Sequence, residues 1–158
     1  MIFRILFYCL IIFIISFSAQ SEKSITGKAQ IIDGDSLNIN YNKIRLHGID
    51  APEIKQTCKI NDKQWNCGAE SLKALKKLIL KKIINCKIVD VDVYKRDVGI
   101  CFVNKININQ YMVRNGWAIA YKYYSHDYIK EENLAKSEKK GIWQGEFIDP
   151  YMFRKLNK

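Results

Sequence analysis

The sequence predicts a small α+β domain in which five strands form a barrel with attached helices. The hydrophobic period is two in three segments before residue 50, becomes helical after residue 67, and later returns to two and then to helical. No repeat or low-complexity linker interrupts the chain, which indicates a single domain. Three strands, a helix, two strands and two helices are an order typical of such a barrel.

The first three strands are predicted from alternating apolar residues. Residues 26–32 form the first strand, and the alternation at 37–41 forms the second. A turn at 40–43 leads to the third strand, 44–49, in which Arg45 faces away from its apolar neighbours. Leucines and an isoleucine at helical spacing then predict a core-facing helix from residue 68. The remaining predicted elements are strands at 86–93 and 98–104, a helix capped by Asn109 and ended by Gly116, and a helix at 128–140.

The first 21 residues differ from the rest of the chain. Arg4 is the only charge among them, and an apolar run follows it and ends in small and polar residues. This pattern is typical of a secretory signal peptide. The run is shorter than the ~20 apolar residues of a spanning helix, so an uncleaved anchor is the weaker alternative. Cleavage after Ser18 or Ser21 fits, and we divide the chain into a leader, 1–21, and a mature domain, 22–158.

The chain is strongly basic. Its formal charge is +10, and removal of Arg4 with the leader leaves +9. A basic domain attracts polyanions because each neutralised phosphate releases condensed counterions. Charge alone leaves nucleic acid, anionic lipid and acidic glycan as candidate partners, and a lysine-rich surface that serves only solubility is an equal alternative.

Four cysteines remain in the mature domain, and an exported protein is exposed to an oxidising compartment. Local pairing of Cys58 with Cys67, across a short polar loop, and of Cys86 with Cys101, across two strands, is the simplest of three connectivities. Free buried thiols are the less favoured alternative.

Carboxylates occur in two neighbouring segments. Asp33 and Asp35 are separated by Gly34, where a bend turns both side chains toward one point, and Asp50 ends the third strand. Ca²⁺ accepts carboxylate, carbonyl and water oxygens at loose geometry, so a partial protein cage suffices. Taken alone, the first segment is better explained as an ordinary turn.

Three further side chains favour phosphodiester chemistry. Pro52 biases the preceding residue to an extended conformation and places Glu53 a short distance from the carboxylates. A carboxylate that is near a cation but is not its ligand can orient or deprotonate water. Arg45 and Arg96 supply planar donors suited to phosphoryl oxygens, although either arginine alone also suits a surface.

These motifs resemble those of the thermonuclease family, typified by staphylococcal nuclease. The runs at 94–99 (YKRDVG), 109–117 and 141–145 (GIWQG) extend the resemblance, which covers 26–143. It implies an OB-fold, a five-stranded β-barrel with three α-helices. It also implies Ca²⁺-dependent hydrolysis of DNA and RNA that leaves 3′-phosphate ends.

The resemblance also implies roles by position. Asp35 and Asp50 match the metal carboxylates, Ala51 matches the backbone-carbonyl ligand, and Asp33 matches a carboxylate near the ion. The chain departs from the family at Lys95, where glycine is usual, and at Val93. The paired cysteines and the GIWQG ending look like exported Gram-negative nucleases, which implies the periplasm or the medium. The catalytic residues that the resemblance implies are Arg45, Glu53 and Arg96.

The run 121–124 (YKYY) is the candidate substrate surface. Tyrosines stack on bases without selecting sequence, and lysine contacts phosphate. For any one of these tyrosines, packing beneath the last helix is an equal alternative. The candidate substrate-binding residues are Tyr121, Lys122 and Tyr124.

The sequence therefore predicts a secreted or periplasmic Ca²⁺-dependent nuclease that cleaves DNA and RNA with little sequence preference. We expect a monomer without stable membrane association once the leader is removed. The alternative is an OB-fold module that binds nucleic acid without cutting it.

Overall fold

A computed structural model describes residues 23–157 of the chain, so the predicted leader lies outside the described residues. Within residues 23–157, no helix is both long enough and apolar enough to span a bilayer. The elements are, in chain order, β1 (Ser24–Ile31), β2 (Ser36–Ile39), β3 (Asn42–Leu46), β4 (Ile49–Asp50), β5 (Cys58–Ile60), β6 (Lys63–Trp65), α1 (Cys67–Ile79), β7 (Ile83–Val91), β8 (Asp97–Val103), β9 (Ile106–Asn107), α2 (Ile108–Arg114), β10 (Ile119–Ala120), α3 (Ile129–Ser137), a 3₁₀ turn (Gly141–Gln144) and α4 (Pro150–Leu156).

Five strands form a closed barrel, as the sequence predicts. β1 pairs antiparallel with β2 and β7, while β2 pairs with β3 and β7 with β8. The barrel closes where β3 runs parallel to β8, with Arg45 opposite Val98. The short β9 extends the sheet beyond β8. The predicted α+β barrel architecture is confirmed.

A tight turn between β2 and β3 sets the side chain alternation of β3. Asn40 and Tyr41 both have positive φ, 49° and 67°, which suits the right-handed twist of a two-residue hairpin. Ile44 and Leu46 are consequently fully buried, while Arg45 between them stays partly accessible at the barrel surface.

The hydrophobic core lies inside the barrel and beneath α1 and α2. Leu75 and Ile79 of α1 join Leu37, Ile84 and Met112 in one buried cluster. Each such side chain stabilises the fold by about 1.5–3 kcal/mol relative to an exposed position. The helical stripe predicted from the sequence is therefore a core contact.

The cap of α2 differs from the prediction. Asn107, not Asn109, is the N-cap, and its side chain accepts a hydrogen bond from the backbone N–H of Gln110 at 3.0 Å. Asn109 is fully buried inside the helix. Its carboxamide accepts the N–H of Cys101 at 3.0 Å and donates to the carbonyl of His47 at 2.9 Å, which fastens α2 to the barrel.

The predicted count of three α-helices is wrong, because residues 23–157 contain four. The fourth, α4, lies in a tail whose aromatic and basic composition shows no clean apolar stripe. Local signals nevertheless start it: Asp149 accepts the N–H of Tyr151 at 2.9 Å, and Pro150 is the first helical residue.

Two other segments also differ from the sequence-based expectation. The polar loop expected at 58–67 is a hairpin of β5 and β6. The third strand ends early because Gly48 has φ +69°, which breaks the predicted 44–49 strand into β3 and β4.

Two disulfides connect the described cysteines. Cys58 is joined to Cys67 across the β5–β6 hairpin, and Cys86 is joined to Cys101, its direct partner across β7 and β8.

Candidate active site

The loop between β1 and β2 holds Asp35 at the barrel surface in a nearly buried position, with 5 % exposure. Asp33 stabilises the loop, because its Oδ1 accepts the backbone N–H of Asp35 at 3.0 Å. Gly34 must be small, since a Cβ there would lie 2.4 Å from Oγ of Ser71 and 2.7 Å from Cβ of Ala51. The loop is therefore seated against α1 and against the segment that follows β4.

Asp50 meets Asp35 from the end of β4. It is fully buried, and β10 fixes its backbone by pairing Ile119 opposite it. The backbone N–H of Ala51 donates to Oδ2 of Asp35 at 3.3 Å. The two predicted metal carboxylates and Ala51 are thus brought together.

Arg45 bridges the two carboxylates. Its Nη2 lies 3.3 Å from Oδ2 of Asp35 and 3.1 Å from Oδ1 of Asp50. Burial raises the pKa of both aspartates, and the neighbouring arginines oppose that rise. Two buried carboxylates held side by side favour positive partners, and Arg45 is one of them.

The donor set fits a hard cation that keeps several water ligands. Within residues 23–157, no cluster of three His, Cys, Asp or Glu side chains is positioned to hold a metal. Two carboxylates, with the backbone carbonyl of Ala51 that the sequence predicts as a third ligand, make an oxygen-only, incomplete donor set, which suits Ca²⁺ or Mg²⁺ and does not suit zinc.

Glu53 follows in the next turn and is partly accessible, with 37 % of its side chain exposed. Its backbone carbonyl accepts the N–H of Gln56 at 2.7 Å, and its own N–H donates to Oε1 of Gln56 at 3.2 Å. This turn holds Glu53 beside Asp50.

Arg154 of α4 enters the same cluster, and the sequence did not identify it. Its Nη1 and Nη2 lie 3.0 and 2.8 Å from the two carboxylate oxygens of Asp50, and Nη1 is also 2.9 Å from Oε1 of Glu53. One guanidinium therefore contacts a predicted metal ligand and the predicted base together. The only sequence signal was the basic character of the tail.

Arg96 lies beside this cluster and not inside it. Its Nε is 2.7 Å from Oδ2 of Asp92, and the turn between them also holds its backbone N–H. It borders a groove that Asp33 and Ser36 also line. Lys95, which replaces the family glycine, has φ +60°, so the turn adopts the backbone conformation that glycine favours.

The tyrosines of the 121–124 run cluster next to Arg45. The ring of Tyr121 is 5.2 Å from that of Tyr124, and the Tyr123 and Tyr124 rings are 4.9 Å apart. The guanidinium of Arg45 lies 5.9 Å from the Tyr121 ring. Tyr123 and Tyr124 are 82 % and 67 % exposed, so they offer aromatic faces beside the carboxylate cluster.

Lys122 points elsewhere, toward a buried carboxylate that the sequence did not identify. Its Nζ lies 2.8 Å from Oε2 of Glu132, which also accepts Lys136 at 2.8 Å. The other oxygen of Glu132 accepts the N–H of Ala120 at 3.2 Å. Lys122 is therefore engaged in holding β10 to α3.

Known proteins resemble this chain over most of its length. A family model described as staphylococcal nuclease homologue matches residues 43–145. An uncharacterized endonuclease of Haemophilus influenzae is 32% identical over 157 residues, spanning 94% of this chain and 83% of that protein. An uncharacterized endonuclease of Escherichia coli O157:H7 is 29% identical over 153 residues, covering 92% of this chain and 94% of its own. The succinoglycan biosynthesis protein ExoI of Rhizobium meliloti is 30% identical over 133 residues, covering 81% of this chain and 69% of its own.

Proposed function

Because the chain belongs to the staphylococcal nuclease homologue family, it is a nuclease that hydrolyses phosphodiester bonds, and we propose that it is an exported, Ca²⁺-dependent enzyme. We propose further that it cleaves DNA and RNA with little sequence preference and leaves 3′-phosphate ends. The observation that carries the proposal is the convergence of Asp35, Arg45 and Asp50, with Glu53 in the adjoining turn.

Each side chain has a distinct task in this proposal. Glu53 accepts a proton from the attacking water, because its carboxylate is the most accessible of the three in the cluster. Arg45 donates to a phosphoryl oxygen and stabilises the charge that develops there, and Arg96 approaches the same phosphate from the neighbouring turn. Asp35, Asp50 and the carbonyl of Ala51 would hold a Ca²⁺ ion, and the ion would supply positive charge that offsets the negative charge of the phosphate.

Digestion of plasmid DNA and of RNA tests this assignment. Glu53→Gln and Arg45→Lys should each lower kcat by about two orders of magnitude, as expected for loss of a catalytic group. Glu70→Gln is the matched control, because the Glu70 side chain is 45 % exposed on α1 and pairs only with Lys73 among the contacts described. Wild-type activity in Glu53→Gln, or activity unaffected by EDTA, would contradict the mechanism.

The exposed tyrosines support a substrate surface without base selection. Bases that stack on Tyr121 or Tyr124 would place the adjoining phosphate near Arg45. Tyr124→Ala should raise KM for single-stranded DNA and leave kcat nearly unchanged. Because Lys122 is paired with Glu132, we propose that it supports this surface indirectly.

Export is supported by the leader-like sequence and by two disulfides, which persist in oxidising compartments. N-terminal sequencing of protein from the periplasm and from the medium tests it. A mature chain that begins after Ser18 or Ser21 is expected, and an intact leader would favour an anchored protein instead.

The sequence alone leaves open a module that binds nucleic acid without cutting it, and membership of the nuclease family argues against this alternative. The basic composition favours it as much as it favours a nuclease. Oligonucleotides shifted on a gel, left intact and insensitive to Ca²⁺ would select this alternative.

We also propose a monomer, which sedimentation of the purified protein tests.

A further inference from the structure

The contact between α4 and the active site is built around a single side chain. Pro150 is the only buried residue of α4, and Tyr151, Met152 and Leu156 are 42 %, 48 % and 68 % exposed. Arg154 is the residue of the last turn that reaches inward, onto Asp50 and Glu53. Phe153 is the one apolar side chain between Pro150 and Arg154 that is partly buried, so the helix is held mainly at its first residue and by one guanidinium.

The root of α4 is fastened independently of Arg154. Gln56 is fully buried, and its Nε2 donates to the carbonyl of Ile148 at 2.6 Å. Trp143 and Phe147 stack edge to face just before that point, with ring centroids 4.9 Å apart. Loss of the Arg154 contacts would thus release the C-terminal part of α4, while the segment that precedes the helix stays bound to Gln56.

Arg154 occupies the oxygens that a cation needs. Both carboxylate oxygens of Asp50 accept its N–H groups, and Oδ1 accepts Arg45 as well. A divalent cation on Asp50 would compete for these oxygens and would repel the guanidinium, because the two carry like charge in a nearly buried cluster. The same guanidinium also engages Oε1 of Glu53.

We propose that α4 is an autoinhibitory latch in which Arg154 takes the place of the divalent cation on Asp50 and restrains Glu53, so that cation binding releases the helix. The latch rests on the proposed Ca²⁺ dependence. Thermodynamic linkage makes the coupling reciprocal. The Arg154 contacts that attach α4 to the active site lower the affinity for the cation, and bound cation weakens the attachment of α4 by the same factor.

Calorimetric titration of the full mature chain with Ca²⁺ tests the latch without reference to turnover. Arg154→Ala should bind Ca²⁺ about tenfold more tightly than the wild type, within the usual range of such couplings. Arg154→Lys, which keeps the charge and loses the bidentate fork, should fall between them. Lys155→Ala is the matched control: Lys155 is exposed on the same turn, and its ammonium lies over the ring of Tyr151.

Hydrogen exchange provides a second measurement on the helix itself. In the wild type, Ca²⁺ should accelerate exchange of the α4 amides, such as the Phe153 N–H that donates to Asp149. In Arg154→Ala these amides should exchange rapidly with or without Ca²⁺. The unfolding midpoint of each variant establishes that the barrel is intact.

The outcomes separate the latch from the nuclease assignment. Equal Ca²⁺ affinity in wild type and Arg154→Ala, or unchanged α4 exchange on Ca²⁺ binding, would overturn the latch alone. Weaker Ca²⁺ binding in Arg154→Ala would also overturn it and would make Arg154 a positioning residue. If neither protein binds Ca²⁺, the proposed cation dependence fails and the latch fails with it.

Discussion

Replacing Gly68 by alanine should displace the turn that carries Glu53. Gly68 lies in the first turn of α1, and its N–H donates to the carbonyl of Gln56 at 3.1 Å. An added Cβ would lie 1.7 Å from the backbone carbonyl oxygen of Glu53, whereas real Cβ atoms essentially never approach closer than 3.0 Å. The two segments would have to separate by more than an ångström.

The magnitude follows from two opposing effects. Overpacking of this kind costs about 3 kcal/mol, and alanine returns about 1 kcal/mol by its higher helix propensity. The net loss of about 2 kcal/mol should lower the unfolding midpoint by about 8 °C in a domain of this size. Because the turn moves with its backbone, kcat should fall by roughly 10- to 100-fold.

Thermal unfolding and plasmid cleavage of Gly68→Ala measure both effects. Gly99→Ala is the control, because its Cβ would meet only side chain and carbonyl atoms at 3.2 Å or more. We expect that variant to lose less than about 1 kcal/mol. A Gly68→Ala protein with wild-type stability and kcat would refute the close packing of α1 on the Glu53 turn.

Glu132→Gln should lower the free energy of unfolding at pH 7, measured in urea, by about 2 kcal/mol. Burial raises the pKa of Glu132, but hydrogen bonds from its two lysines lower it below 4.5, so the stability difference between wild type and variant should shrink as pH falls below 4.5. A stability difference that stays constant with pH would contradict this. Replacing Cys86 and Cys101 together by alanine should lose about 3 kcal/mol in the same assay, given a separation of 15 residues, and a loss under about 1 kcal/mol would argue against it. Lys95→Gly should gain about 0.5 kcal/mol, because relief of the positive φ exceeds the added chain entropy, and destabilisation would be the opposing result.

The barrel was predictable because its signals are local. Alternating apolar residues in β2 and β3 indicate which face of each strand is buried, and the stripe of Leu75 and Ile79 indicates the buried face of α1. The cluster of Asp35, Arg45 and Asp50 was predictable for a related reason: the three residues are close in sequence, just before β2, on β3 and on the short β4 that follows β3.

The parts that were missed depend on contacts between distant segments. Arg154 is one basic residue in a basic tail, and only the packing of α4 across the barrel brings it to Asp50. Asn109 has a side chain that often caps helices, yet its carboxamide accepts the backbone N–H of Cys101 in β8 instead. The tyrosines that flank Lys122 in sequence favoured a phosphate contact for it, but its ammonium pairs with Glu132 on the next helix.

The parallel pairing of β3 with β8 joins strands that are more than fifty residues apart in the chain. Closing so long a loop is entropically costly, and such nonlocal contacts usually form late and slowly during folding. The strand that bears Arg45 is therefore anchored only when the barrel closes. Before the barrel closes, the reactive side chains between residues 35 and 53 are present but not at their native distances from one another. Nucleolytic activity should therefore report the completion of folding.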